Sequence, residues 1–283
     1  MNRLQSNTKQ KTKRSFLSSN PIMRRLDSVD EHADSNCATY GGITLKTMFF
    51  LLFSAVGILA QAITAKMLAE GESSVLDIKG FKVSVTNTEI MVLVAVLLAG
   101  IVFQLLASFL RSTTPVTGAL YCASQGYFIS FLLFKVLGAY HLEYLGFLAL
   151  LITMLIIAVM SILYTTGVIR VTKKFKMVIT TLFVTMIATS LFTFIGSFIP
   201  AVQPLVKTIQ NNFALSIAAS IGFIIIAALF LICDFDTIDH VVNDKLPKKY
   251  EWQAAFGLSF TILWLYLKVL DLIITIAGNN NKD

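Results

Sequence analysis

Ionisable side chains inside apolar runs are few in this chain, and each is a candidate for chemistry because charge is expensive in hydrocarbon. Asp234 and Asp236 stand in the run CDFDTIDH, where a long apolar stretch ends. Carboxylates in such a place can attract cations or hold a proton, and residues two apart on a helix point to nearly opposite faces. One is then expected to face the other helices and one to face water, with Asp239 and His240 solvated a turn later. Lys268 and Asp271 lie three apart in the last apolar run. They share a helix face, where they can neutralise each other or line a polar path, and Lys268 can snorkel to the interface. Gln125, beside Gly126 in the third run, is an amide able to bond a neighbouring helix. His32, His141 and His240 are too dispersed for a metal site. Cys37, Cys122 and Cys233 have neither metal nor disulfide spacing. The sequence has no HExxH, no Gly-rich phosphate loop and no GxSxG. The expectation is a protein that is not an enzyme and uses no cofactor or metal.

The elements that must position these groups are membrane helices. Hydrophobic residues make up 56% of the chain and charged residues 14%, against about 45–50% and about 25% in soluble domains. The apolar residues come in seven runs, at 48–65, 90–110, 117–137, 145–164, 177–199, 214–233 and 253–277. Each is close to the ~20 residues that cross a bilayer as a helix, and each is continuous rather than alternating, which excludes a transmembrane barrel. The formal net charge is +7, but the basic residues collect in the first 46 residues and in the loops. That distribution reads as membrane orientation and excludes nucleic acid as a partner. Sixteen basic residues fall on the side of the N-terminus and six on the other. The positive-inside rule then places the N-terminus in the cytoplasm and, after seven spans, the C-terminus outside. The expected organisation is a mobile basic cytoplasmic tail over 1–46 and a seven-helix domain over 47–278. The loop 66–89 is expected to fold over the outer face as a short hairpin. Small residues four apart, Ala95/Ala99 and Ala218/Gly222, are candidates for close helix packing.

The stretch DFDTIDHVVNDKLPKKYEWQAAFGLSFTILWLYLKVLDL resembles the end of the Bax inhibitor-1 family, and of its bacterial branch in particular. SSNPIMRRL, ATYGGITLKT and, in the third run, PVTGALYCASQGYFIS are similar to the same branch. The resemblance covers nearly all of residues 19–275. It implies an all-α fold in which six helices surround a central seventh, and a pH-sensitive calcium leak across the membrane. It also implies a latch of two aspartates, one ending span six and one in span seven, that share a proton. Transferred to this sequence, the span-six aspartate is Asp236, in Phe-Asp-Thr. The span-seven position holds Thr261, and the acidic position before glycine in span three holds Gln125. Both are neutral, so Thr261 can exchange a hydrogen bond with Asp236 but cannot repel it.

These readings lead to a membrane protein that permits or regulates cation leak. Asp236, Asp234 and Thr261 form its gate, and Gln125, Lys268 and Asp271 line polar parts of a path. The alternatives are a non-conducting regulator that binds membrane proteases or stress-response proteins, and a proton-coupled transporter of a small solute. The expected partners are the lipid bilayer, calcium or other cations, and other membrane proteins; the expected location is the cell membrane of a bacterium.

Overall fold

The computed structural model describes Leu26 and residues 36–68, 71–169, 171–196, 199–204, 206, 208 and 212–280. Most of the expected basic tail, with Glu70, Arg170, Lys207 and Lys282, lies outside these residues. The helices are α1 (Tyr40–Met67), α2 (Asn87–Phe109), α3 (Thr114–Ser130), α4 (Tyr144–Thr165), α5 (Lys173–Gly196), α6 (Phe213–Asn243) and α7 (Glu251–Asn280). α3 is prolonged by a π-helical stretch, Phe131–Leu137, and a 3₁₀ turn, Gly138–Tyr140. All seven are long and apolar enough to cross a membrane. Large apolar side chains such as Leu45, Leu52, Leu59, Leu98, Phe147 and Leu155 point outward. Lipid covers such a belt at no cost, whereas a soluble protein would have to bury it.

Two borders differ from the sequence expectation. α1 begins at Tyr40, so the domain boundary set at residue 46 falls inside it. α6 runs on to Asn243, which puts Asp234, Asp236, Asp239 and His240 within a helix rather than past its end. Hydropathy marks the part of a helix that lipid covers, while the backbone goes on bonding through the polar turns beyond it. The N-termini are set by local chemistry. The Thr39 hydroxyl accepts from the Gly42 amide in α1, Asn212 accepts from Leu215 in α6, and Thr86 with Glu89 makes a capping box for α2.

The chain crosses back and forth, so α1, α3, α5 and α7 start at one end of the bundle, here the tail end. The opposite, hairpin end carries two antiparallel strands, β1 (Ser73–Ile78) and β2 (Phe81–Thr86), in register from Ser73↔Thr86 to Ile78↔Phe81. The two-residue turn between them, Lys79-Gly80, has positive φ at both positions, 53° and 94°. This is the twist that tight hairpins need. β2 alternates, with Phe81, Val83 and Val85 buried and Lys82 and Ser84 outward, and the expected hairpin is therefore present.

α7 is the enclosed helix, packed against α1, α3, α4 and α6. α1 and α3 touch backbone to backbone: a Cβ on Gly126 would stand 1.8 Å from the Ser54 carbonyl oxygen, and one on Gly57 1.9 Å from that of Ala123. Tyr127 and Thr64 share a 2.9 Å hydroxyl contact, and the Ser130 hydroxyl donates to Gln61 Oε1 at 2.9 Å. The small pair Ala218/Gly222 does not serve this way, since a Cβ on Gly222 would meet nothing within 4 Å.

At the tail end, the residues before α1 pair with the α6–α7 connection. The Ala38 amide donates to Leu246 O at 2.7 Å and the Lys248 amide to Asn36 O at 3.0 Å, around a Cys37–Pro247 bridge.

Candidate functional site

Where α4 ends, α5 begins and α6 ends, the bundle opens into a cavity of about 560 Å³ lined by Tyr164, Lys173, Lys176, Asp236, Asp239, His240 and Asp244. Asp236 Oδ2 pairs with Lys176 Nζ at 2.9 Å, joining α6 to α5; the two side chains are 35% and 13% exposed. Asp239 ties three helices together. It accepts from the Tyr40 hydroxyl of α1 at 2.8 Å and from the Tyr164 hydroxyl of α4 at 2.6 Å. His240 Nδ1 lies 2.6 Å from Asp244 Oδ2. Asp239 and His240 are both half-exposed at this cavity, the first as a bonded hub and the second engaged within its own helix.

Asp236 was expected against span seven, with Thr261. The geometry gives that face to the other aspartate. Two residues along a helix turn the side chain by about 200°, and the α6 row Ala227, Leu231, Asp234, Ile238, Val241 repeats every three or four residues. Ala227 shares a buried cluster with Leu265 and Val269 of α7, and Ile238 and Val241 share another with Ala254, Ala255 and Phe256, where α6 and α7 pack together. Asp234, fully buried, lies in the middle of that row and so on the α7 side. Thr261 is also buried, 1% exposed, and its hydroxyl donates back to Gly257 O at 3.3 Å on its own helix. Gln253, Gly257 and Thr261 recur at four-residue spacing along one face of α7, and Gln253 is buried as well.

The other polar candidates stand apart from this cavity. Gln125 is half-buried against α2, its Nε2 3.8 Å from where a Cβ on Gly100 would be. Lys268 and Asp271 do not form the pair that their spacing suggested. Lys268 Nζ sits over the Phe223 ring at 4.5 Å. Asp271 is held by Lys79 from the hairpin turn, at 2.5 Å, and Lys79 also donates to Thr275 Oγ1 at 2.7 Å. The Ser220 hydroxyl reaches Asp271 Oδ2 at 3.4 Å. Among the described residues, no group of three or more His, Cys, Asp or Glu is arranged to hold a metal ion.

Sequence reasoning passed over Lys176, Lys79 and Glu251. Lys176 has a signal: a basic residue in the first turn of span five can reach an acid at the tail end of span six. Lys79 has one in the DIKG turn, whose cation stands opposite an acid in span seven. Glu251 lies in YEW. Its carboxylate accepts from the Thr39 amide at 2.9 Å and the Thr39 hydroxyl at 3.2 Å, and pairs with Lys46. Two of the segments that carry the family resemblance, ATYGGITLKT and YEW, thus meet in space.

A bundle of seven apolar helices, the last of them packed against four of the other six, defines a multi-pass integral membrane protein. The family described as Bax inhibitor 1 like matches residues 3–278, and the chain belongs to it. A comparison with curated proteins and one with solved structures return no match.

Proposed function

We propose that the protein permits a pH-sensitive cation leak, with the Asp236–Lys176 ion pair as its latch. The observation that carries this reading is the position of the pair: it bridges α6 and α5 at the mouth of the cavity. Lys173 and Lys176 face Asp236 from α5, Tyr164 faces it from α4, and Asp239, His240 and Asp244 flank it on α6. Acidification that neutralises Asp236 leaves Lys176 without its counter-charge, and the tie between the two helices is lost. Leak then rises as pH falls. Calcium is the cation the family resemblance implies. The bacterial resemblance supports a cell membrane location, and the charge bias of the loops supports an N-terminus and cavity in the cytoplasm with the C-terminus outside.

Flux of calcium from reconstituted vesicles tests this, titrated from about pH 8 to about pH 4, a range spanning ordinary histidine and carboxylate ionisation. Asp236→Asn is expected to leak at neutral pH as the wild type does in acid, and Lys176→Met likewise. Equal flux from wild type and both variants at every pH rejects the latch. The neutral residues Thr261 and Gln125 favour a second reading, a non-conducting regulator of other membrane proteins. A stable copurifying membrane protein together with no flux selects it.

A further inference from the structure

α5 is held differently from its neighbours. Its chief packing partner is α6, and its contacts fall at two levels. At the tail end stands the Lys176–Asp236 pair. Deeper in the bundle three aromatic rings from three helices meet edge to face. Phe183 of α5 lies 4.9 Å from Phe230 of α6 and 5.5 Å from Trp264 of α7, and Phe230 and Trp264 are 5.8 Å apart. Ile179, Ile226 and Cys233 pack around them, with Val171 and Phe175 on the side of the cavity. At the rise of an α-helix, Phe183 is about 10 Å from Lys176 along α5, and Phe230 about 9 Å from Asp236 along α6. The rings therefore lie about two turns deeper than the residues that line the tail-end cavity. Beyond Trp264 on α7 come Lys268 and Asp271, about 6 Å and about 10 Å nearer the hairpin end. Along the helix axes this aromatic layer stands between a polar cavity at one end and the Lys268, Asp271, Ser220 and Lys79 groups at the other.

We propose that Phe183, Phe230 and Trp264 form the hydrophobic barrier of the leak path, and that α5 is the wall whose displacement opens it. This inference rests on the leak reading and locates the closed point of that same path. A constriction lined by rings holds no water, and an ion cannot cross it without shedding its hydration shell. Two ties hold Phe183 against the other two rings: the ion pair a few turns away and the ring contacts themselves. When Asp236 loses its charge, the polar tie is gone and α5 is held by its apolar packing, the rings with Ile179 and Phe175 beside them. Phe183 then withdraws, water enters, and hydrated cations follow.

The test is vesicle flux with paired substitutions at one position. Phe183→Leu and Phe183→Asn both remove the ring, but only Asn hydrates the constriction. Phe183→Asn and Trp264→Ala are expected to raise leak at neutral pH by about tenfold or more, the change that about 1.4 kcal/mol of barrier produces. Phe183→Leu and Phe49→Ala, the latter an aromatic in the α1–α7 cluster away from the path, are expected to leave it near wild type. Size-exclusion profiles confirm the fold of each variant. A second measurement leaves the barrier intact: in a Trp252→Phe background, Trp264 fluorescence is expected to gain accessibility to acrylamide as pH falls and leak rises. Should the wild type leak in a pH-dependent, Asp236-dependent way while Phe183→Asn and Trp264→Ala match it, the barrier lies elsewhere and this inference alone is overturned. The same holds if Trp264 stays equally shielded while leak rises. If the wild type, Asp236→Asn and Phe183→Asn all pass no cation at any pH, the leak reading itself has failed.

Discussion

Glu251 is a carboxylate without solvent access, and it survives there because three donors meet it: the Thr39 amide, the Thr39 hydroxyl and the Lys46 ammonium. Lys46 lies in turn over the Trp252 ring at 5.2 Å, and Arg111 over the Tyr250 ring at 4.3 Å. The start of α1 and the start of α7 are thereby one electrostatic unit. Replacing Glu251 with Ala strips two donors and a largely buried ammonium of their partner. A change of this kind costs about 3–5 kcal/mol, and is expected to lower the thermal midpoint of the purified protein in detergent. Glu251→Gln is expected to recover part of the loss, because its amide oxygen still accepts from Thr39. An unchanged midpoint for Glu251→Ala would show that the donors find water instead. At this scale the sequence was informative about type and poor about direction. Asp234 and Asp236 stood out as rare acids near lipid, yet only the packing of α6 between α5 and α7 decides which one is buried. Their spacing requires opposite faces and is silent on which face is which.

The seven spans were legible as elements because continuous apolar runs of that length have one stable form in lipid. Their ends were not, since Thr39, Tyr40 and the turn through Asp239 to Asn243 belong to helices whose outer turns are polar. Helix contacts were harder still. Ala95/Ala99 and Ala218/Gly222 carry the right spacing, but spacing does not say which face meets another helix. The close approach falls at Gly57 and Gly126, where carbonyl oxygens occupy the space a methyl would need. Because the obstacle is backbone rather than a side-chain tip, no rotamer change relieves it. Gly126→Ala is expected to push α1 and α3 apart, at a cost of about 1–3 kcal/mol or more from overpacking. The loss of the Ser130–Gln61 and Tyr127–Thr64 contacts should follow. Gly222→Ala, which meets open space, is the control. A Gly126→Ala protein with the thermal midpoint of Gly222→Ala would mean the two helices can separate freely.

Taken whole, the proposed leak path has two closed points in series along α7. One is the aromatic layer around Trp264 and the other is the hairpin end, where β1–β2 is hooked onto the last turns. The hook is Lys79, whose ammonium reaches Asp271 and Thr275 while its carbonyl lies where a Cβ on Gly278 would come within 2.0 Å. Phe81, packed edge-on to Tyr140 at 4.9 Å, and the Lys82 amide bonded to the Tyr140 hydroxyl at 2.9 Å fasten the same hairpin to the end of α3. The loop's folding as a hairpin was readable from 66–89; its docking was not, because Lys79 and Asp271 are far apart in sequence and Asp271 was read together with Lys268. Lys79→Ala removes the hook but leaves the Phe81–Tyr140 contact, so the strands should stay paired while their seat on α7 loosens. Gly278→Ala should do the same by displacing the Lys79 carbonyl. Faster amide exchange over 73–86, with α7 near Trp264 unchanged, is the expected result. Unchanged exchange in both variants would show that Phe81 and Tyr140 suffice to hold the hairpin. Two barriers in series also make a prediction about flux. Lys79→Ala alone should leak little, since the rings remain shut, whereas combined with Phe183→Asn it should leak more than Phe183→Asn alone. Equal flux from the single and the double variant would place the hairpin beside the path rather than across it.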